Sequence, residues 1–148
     1  MCRSISSGRP PGMILRTGGA LAPAGLDEQD DGPTFFHDFR TILQQGPELI
    51  ERAAEWVWSS GIVASHEITF YVPPQVNGRL IDEMSRKKNL HGAKVFSNFD
   101  KVGNTSSASI YIALDTMNRG QHLRSGDTVV LLPAEATKWT YGAIILRW

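Results

Sequence analysis

Four things are scarce in this sequence, and each scarcity closes off a class of function. Cysteine occurs once, as Cys2, so no internal disulfide framework and no thiolate metal site can form. No apolar run approaches the roughly 20 residues needed to span a bilayer, and the two arginines near the N-terminus lead into no apolar stretch of the kind a secretory signal needs. Net charge is also missing. Fifteen basic residues balance fifteen acidic ones, so the chain lacks the basic bias that draws a protein to nucleic acid or an anionic membrane. His, Asp and Glu are scattered without the short spacings of a metal site. The expectation is a protein of the cytoplasm, with no metal or cofactor and with neither nucleic acid nor membrane as partner.

The order of the elements can be read from punctuation and period. Residues 1–33 are rich in Gly, Pro, Ser and acidic side chains and read as a loose segment, with Met13–Arg16 as a short strand. From Thr34, Phe35, Phe36, Phe39, Ile42 and Leu43 recur at helical steps until Gly46-Pro47, which should break the run. Pro47 then suits the first turn of a second helix ending near Gly61. Ile68–Val72 reads as a strand and Asn77–Lys88 as a helix. Lys94–Phe96 reads as a small strand. Thr105–Asn118 reads as a helix capped by Asn104 or Thr105, whose small residues predict burial. Thr128–Leu132 and Tyr141–Trp148 read as two final strands. This alternation predicts an α/β fold, a mixed sheet with helices on both faces.

Three blocks carry a family resemblance. Gly103-Asn104-Thr105-Ser106-Ser107-Ala108-Ser109, followed by Ala113-Leu114-Asp115 and Gly126-Asp127, resembles the G-N-T-S-x-A-S segment and following helix of ketoacyl-ACP synthase III enzymes. Val72-Pro73-Pro74-Gln75-Val76-Asn77-Gly78-Arg79 is similar to the family's V-P-H-Q-A-N-x-R. The ending, Tyr141-Gly142 to Leu146-Arg147-Trp148, is similar to W-G-x-x-x-L-R-W. The resemblance covers about Phe35 to Trp148. It implies the C-terminal half of a thiolase-like fold with a five-stranded sheet. Residues 34–148 would form that domain and 1–33 a remnant of the preceding half.

The family loads an acyl group onto a cysteine and joins it to malonyl-ACP with loss of carbon dioxide. The resemblance places that cysteine in the first half. Cys2, with no strand before it and no capped helix after it, lacks the helix N-terminus that lowers a thiol pKa. Asn104 stands at the position of the asparagine that donates to the thioester oxygen; its bland role is a helix cap. Pro74 stands at the histidine position, and proline has no donor to offer there. Pro133–Lys138 replaces a glycine-rich run that approaches the substrate. Arg79 matches an arginine that binds acidic acyl carrier protein.

Three functions stay open on this reading. The chain is an acyltransferase component acting on acyl thioesters of CoA or ACP in fatty-acid or polyketide-type biosynthesis, incomplete without the cysteine-bearing half. Alternatively it is a non-catalytic partner subunit of an active paralogous synthase, paired as a homo- or heterodimer, or it is a truncated relic.

Overall fold

The computed structural model describes residues 5–6, 13–15, 35–86, 90–136 and 138–148. Its centre is a four-stranded sheet of β4 (Phe70–Val72), β5 (Lys94–Val95), β6 (Thr128–Leu131) and β9 (Ile144–Arg147), in the order β5-β4-β6-β9. Strands β5, β4 and β6 run parallel, and β9 returns antiparallel to β6. The sheet is therefore mixed, as expected, but carries four strands rather than five.

Alternate side chains of these strands feed two apolar clusters, one on each face. On one face Tyr71, Val130 and Ile145 pack with Ile50, Ala53, Ala54 and Val57 of helix α1 (Phe39–Ser59) and Met84 of helix α2 (Gly78–Ser85). On the other, Val72, Val129 and Leu131 pack with Ile110, Ala113 and Met117 of helix α4 (Ser109–Arg119). A one-turn helix α3 (Phe99–Val102) precedes α4.

Helix α1 corrects the expected break at Gly46-Pro47: it runs unbroken through Pro47. Phe35–His37, expected to be helical, is instead strand β3, paired antiparallel with β2 (Met13–Leu15). The helix starts at Asp38, whose carboxylate accepts from Thr41 N–H at 3.0 Å and from Thr41 Oγ1 at 2.6 Å. These bonds hold the Asp38 carboxyl below its ordinary pKa and fix the N-terminus one turn later than hydrophobic spacing alone suggests. Pro47 cannot donate to the carbonyl of Leu43, but Leu43 is exposed, so water can reach the freed acceptor. An interior proline costs about 3 kcal/mol. Burial of Leu49, Ile50 and Val57, at about 1.5–3 kcal/mol each, outweighs it.

Two further corrections concern the ends. Ile5–Ser6, inside the segment expected to be loose, forms β1 and pairs with β8 (Thr140–Tyr141). The helix expected over Thr105–Asn118 is a 3₁₀ turn, Ser106–Ala108, followed by α4, and only one face is buried. Ser106, Ser107, Ala108 and Tyr111 stay exposed.

In the first cluster, Tyr71 is fully buried and its hydroxyl accepts from Trp58 Nε1 at 2.6 Å. Burial raises the phenol's pKa, and the Trp58 N–H opposes it only in part. The unfolded phenol ionises near 10. A raised folded pKa therefore means that the stabilisation is complete below about pH 10 and is lost as pH climbs above it. Tyr71→Phe strands the indole N–H and should cost about 1 kcal/mol at neutral pH. That difference should shrink in urea titrations above pH 10; a gap constant with pH would contradict the assignment.

Candidate functional site

The parallel strands β4 and β6 deliver two segments to the same, carboxyl-terminal edge of the sheet, where open α/β sheets hold their ligands. Strand β4 leads into Pro73-Pro74-Gln75, all three buried. Strand β6 leads into Pro133 and a hairpin of β7 (Ala134–Glu135) and β8. The N-terminal end of α4 meets the first segment: Gln75 N–H donates to Ser109 Oγ at 3.3 Å.

Gln75, with no exposed surface, is the knot of this corner. Its Nε2 donates to Pro73 O at 2.8 Å and Phe96 O at 3.4 Å. Its Oε1 accepts from Asn98 N–H at 3.1 Å and Ser97 Oγ at 3.2 Å. Asn98, itself buried, donates from Nδ2 to Thr116 Oγ1 on α4 at 3.0 Å. The segment that leads to Asn104 is thus fastened at 96–98 both to the β4 corner and to α4. Sequence reading passed over Gln75; the available signal was a long polar side chain held between a proline pair and a valine at the end of a buried strand.

Asn104 is exposed on the loop between α3 and the 3₁₀ turn. Gly103 precedes it at φ +66°, a conformation that favours glycine. Asn104 Oδ1 accepts from Ser106 N–H at 2.9 Å. A backbone donor demands an oxygen there, which fixes the amide orientation and leaves the NH₂ as the outward group. This bond closes a tight turn ahead of the 3₁₀ segment and is not a helix cap: the N-caps are Thr105 for the 3₁₀ turn and Ala108 for α4, and neither makes a side-chain capping bond. The expected cap at Asn104 or Thr105 is thereby corrected.

Pro74 is in the buried corner and offers no side-chain donor. The histidines do not replace one: His66 is exposed in the 3₁₀ turn Ser65–Glu67, ahead of β4 and at its opposite end. His91 and His122 are exposed in turns, against Trp58 and Phe96. Where a glycine-rich run is expected, the chain builds a closed hairpin. Glu135 Oε1 accepts from Lys138 N–H at 3.0 Å and Thr140 Oγ1 at 2.9 Å, and Trp139 is buried beside it at φ +50°. The backbone N–H of Lys138 is thereby engaged within the turn.

Arg79 lies exposed in the first turn of α2, and its Nε contacts Glu83 Oε1 at 2.8 Å. Arg86 is exposed at the end of that helix; Lys87 and Lys88 lie outside the described residues. A cavity of about 110 Å³ opens elsewhere, between α1 and α2, over Ile50, Ala54, Trp58, Leu80 and Met84. None of the site residues lines it. Among the described residues no group of three His, Cys, Asp or Glu side chains could hold a metal, and no helix is long and apolar enough to cross a membrane.

Comparison with known proteins agrees with this architecture. The profile of the family described as 3-oxoacyl-[acyl-carrier-protein (ACP)] synthase III C terminal matches residues 60–148. The chain is 32% identical over 137 residues to a beta-ketoacyl-[acyl-carrier-protein] synthase III of Rhodopirellula baltica, covering 92% of this chain and 39% of that protein. It is 28% identical to the protein of the same name from Chlorobium phaeobacteroides, covering 41% of it. The chain thus spans about two-fifths of the length of the relatives it matches. Among solved structures, a tetronic acid condensing enzyme superposes with a TM-score of 0.80 at 22% identity, over the whole of this chain and 46% of the other. The synthase III of Thermus thermophilus superposes with a TM-score of 0.77 at 25% identity, over 99% of this chain and 45% of the other. The thiolase-like fold follows from these superpositions.

Proposed function

Since this chain belongs to the 3-oxoacyl-ACP synthase III C-terminal family, we propose that it is the second half of an acyltransferase of that type. It acts with a cysteine-bearing first half on acyl thioesters of CoA or acyl carrier protein, in fatty-acid or polyketide-type biosynthesis. In this reading residues 34–148 are the domain and 1–33 a remnant of the preceding half. The observation that carries the proposal is Asn104. Its oxygen is spent on Ser106 N–H, which leaves its NH₂ as the donor this exposed loop offers. A donor held there can meet the negative charge that develops on a thioester oxygen as a malonyl group loses carbon dioxide. Arg79 serves as the contact for an acidic carrier, tempered by its pairing with Glu83.

A second reading has its own support. Pro74 supplies no second donor, and the hairpin closed by Glu135 leaves no open glycine run. Both favour a non-catalytic subunit that completes an active synthase. Acyl loading separates what this chain does alone from what it does in company. Incubated alone with acetyl-CoA, it should gain no mass by intact-protein mass spectrometry, because the sequence around Cys2 carries no helix N-terminus pattern of the kind that activates a thiol. A stoichiometric acetyl adduct on Cys2 would overturn the requirement for a second half.

A further inference from the structure

The cavity between α1 and α2 plays no part in the reading above, and its walls have a definite chemistry. One stripe of α1 supplies Ile50, Ala54 and Trp58 at four-residue steps, and α2 supplies Leu80 and Met84. Protein interiors hold few voids larger than a water molecule. This space exists because position 54, between two bulky neighbours on the stripe, carries only a methyl group. Its volume is about 110 Å³, and a closed apolar cavity of about 150 Å³ holds benzene. The cavity here opens to solvent, so a ring can enter while a short chain attached to it stays at the mouth.

Two further features give the cavity a preference. Trp58 is held from behind, its Nε1 donating to the buried Tyr71 hydroxyl at 2.6 Å. An indole fixed in one orientation need not be ordered when a ligand arrives. The lining is also acidic wherever it is charged. Glu51 and Glu55 follow Ile50 and Ala54 along α1, and Glu83 precedes Met84 on α2. No lysine or arginine is among the described residues that line the cavity. Such a mouth attracts a cation and repels a carboxylate or phosphate, which sets this cavity apart from any acyl or phosphate chemistry.

We propose that the cavity binds a small organic ammonium ion with an aryl body. The ring fills the space over Ala54, against Ile50, Leu80 and Met84, and the ammonium stays at the mouth beside Glu55. Indole is the strongest aromatic partner for a cation, so Trp58 serves both ends of such a ligand. A few polar groups around an apolar floor is the ordinary composition of a small-molecule site. The site is separate from the Asn104 corner and does not rest on the acyltransferase reading.

Phenethylammonium is the probe, titrated into the full chain while the indole N–H resonances of its four tryptophans are followed by NMR. The Trp58 signal, identified by its loss in Trp58→Phe, should move with a Kd of about a millimolar, an ordinary affinity for about nine non-hydrogen atoms. 2-Phenylethanol has the shape without the charge, and methylammonium the charge without the ring; each should bind at least about threefold more weakly. Glu55→Lys, at an exposed position, should weaken phenethylammonium about fivefold or more. N-acetyl-lysine methylamide, which offers an ammonium on a thin stem, should also bind more weakly. Absence of any shift at about ten times the expected Kd overturns the proposal. So does equal binding of 2-phenylethanol, an unchanged Kd in folded Glu55→Lys, or movement of another indole in place of Trp58. Tighter binding of the lysine derivative would overturn it too, by assigning the cavity to a protein side chain.

Discussion

Replacing Gln75 by leucine should lower the unfolding free energy by about 2–5 kcal/mol, the largest loss expected from any single change at the site. Leucine fills nearly the same volume, so the loss is not that of a cavity. It comes from groups left without partners. Pro73 O and Asn98 N–H sit at buried residues and now bond to the Gln75 amide at 2.8 and 3.1 Å. An orphaned buried group costs about 1–3 kcal/mol. Ser109→Ala, which removes only the 3.3 Å acceptor of Gln75 N–H, should cost about 1 kcal/mol on the same scale. Urea unfolding at neutral pH measures both. If Gln75→Leu proves as mild as Ser109→Ala, the corner is not held by this amide and the placement of the Asn104 loop needs another explanation.

The second large effect concerns Pro74. In a chimera that joins the first half of the Rhodopirellula baltica relative to this chain, decarboxylation of malonyl-ACP should run about 10²–10³ below that of the intact relative, the typical cost of one missing oxyanion donor. Pro74→His should recover part of that loss, and Asn104→Ala should remove what activity the chimera has. The physical basis is simple: proline presents neither a side-chain donor nor an N–H, whereas Asn104 presents an amide whose orientation Ser106 fixes. If Pro74→His leaves the rate unchanged while the chimera still folds, the closed hairpin at Pro133–Tyr141, rather than the missing donor, limits the chemistry.

Much of this was visible in the sequence because it is local. Pro73-Pro74 ends a strand, and Asn77 caps the helix that follows through a 2.8 Å bond from Leu80 N–H. What escaped is non-local or decided by competition. Pro47 reads as a break until the burial that follows it is weighed against the lost bond. The number of strands depends on what pairs at the two edges, β5 and β9, and no local pattern in either strand reveals that. Gln75 looks like a loop residue, because the four groups it serves come from Pro73 and from a segment more than twenty positions away. The half-exposure of α4 has a related cause: small residues permit close helix approach without supplying the helix that approaches.

Acyl loading in company tests the central claim most directly. The cysteine-bearing half of the Rhodopirellula baltica relative would be co-expressed with this chain, the complex purified, and acetyl-CoA added before intact-mass measurement. The account predicts that the two polypeptides co-elute and that the acetyl group appears on the first half, with this chain unmodified. Failure of the halves to associate, or loading of the first half to the same extent without this chain, would contradict it.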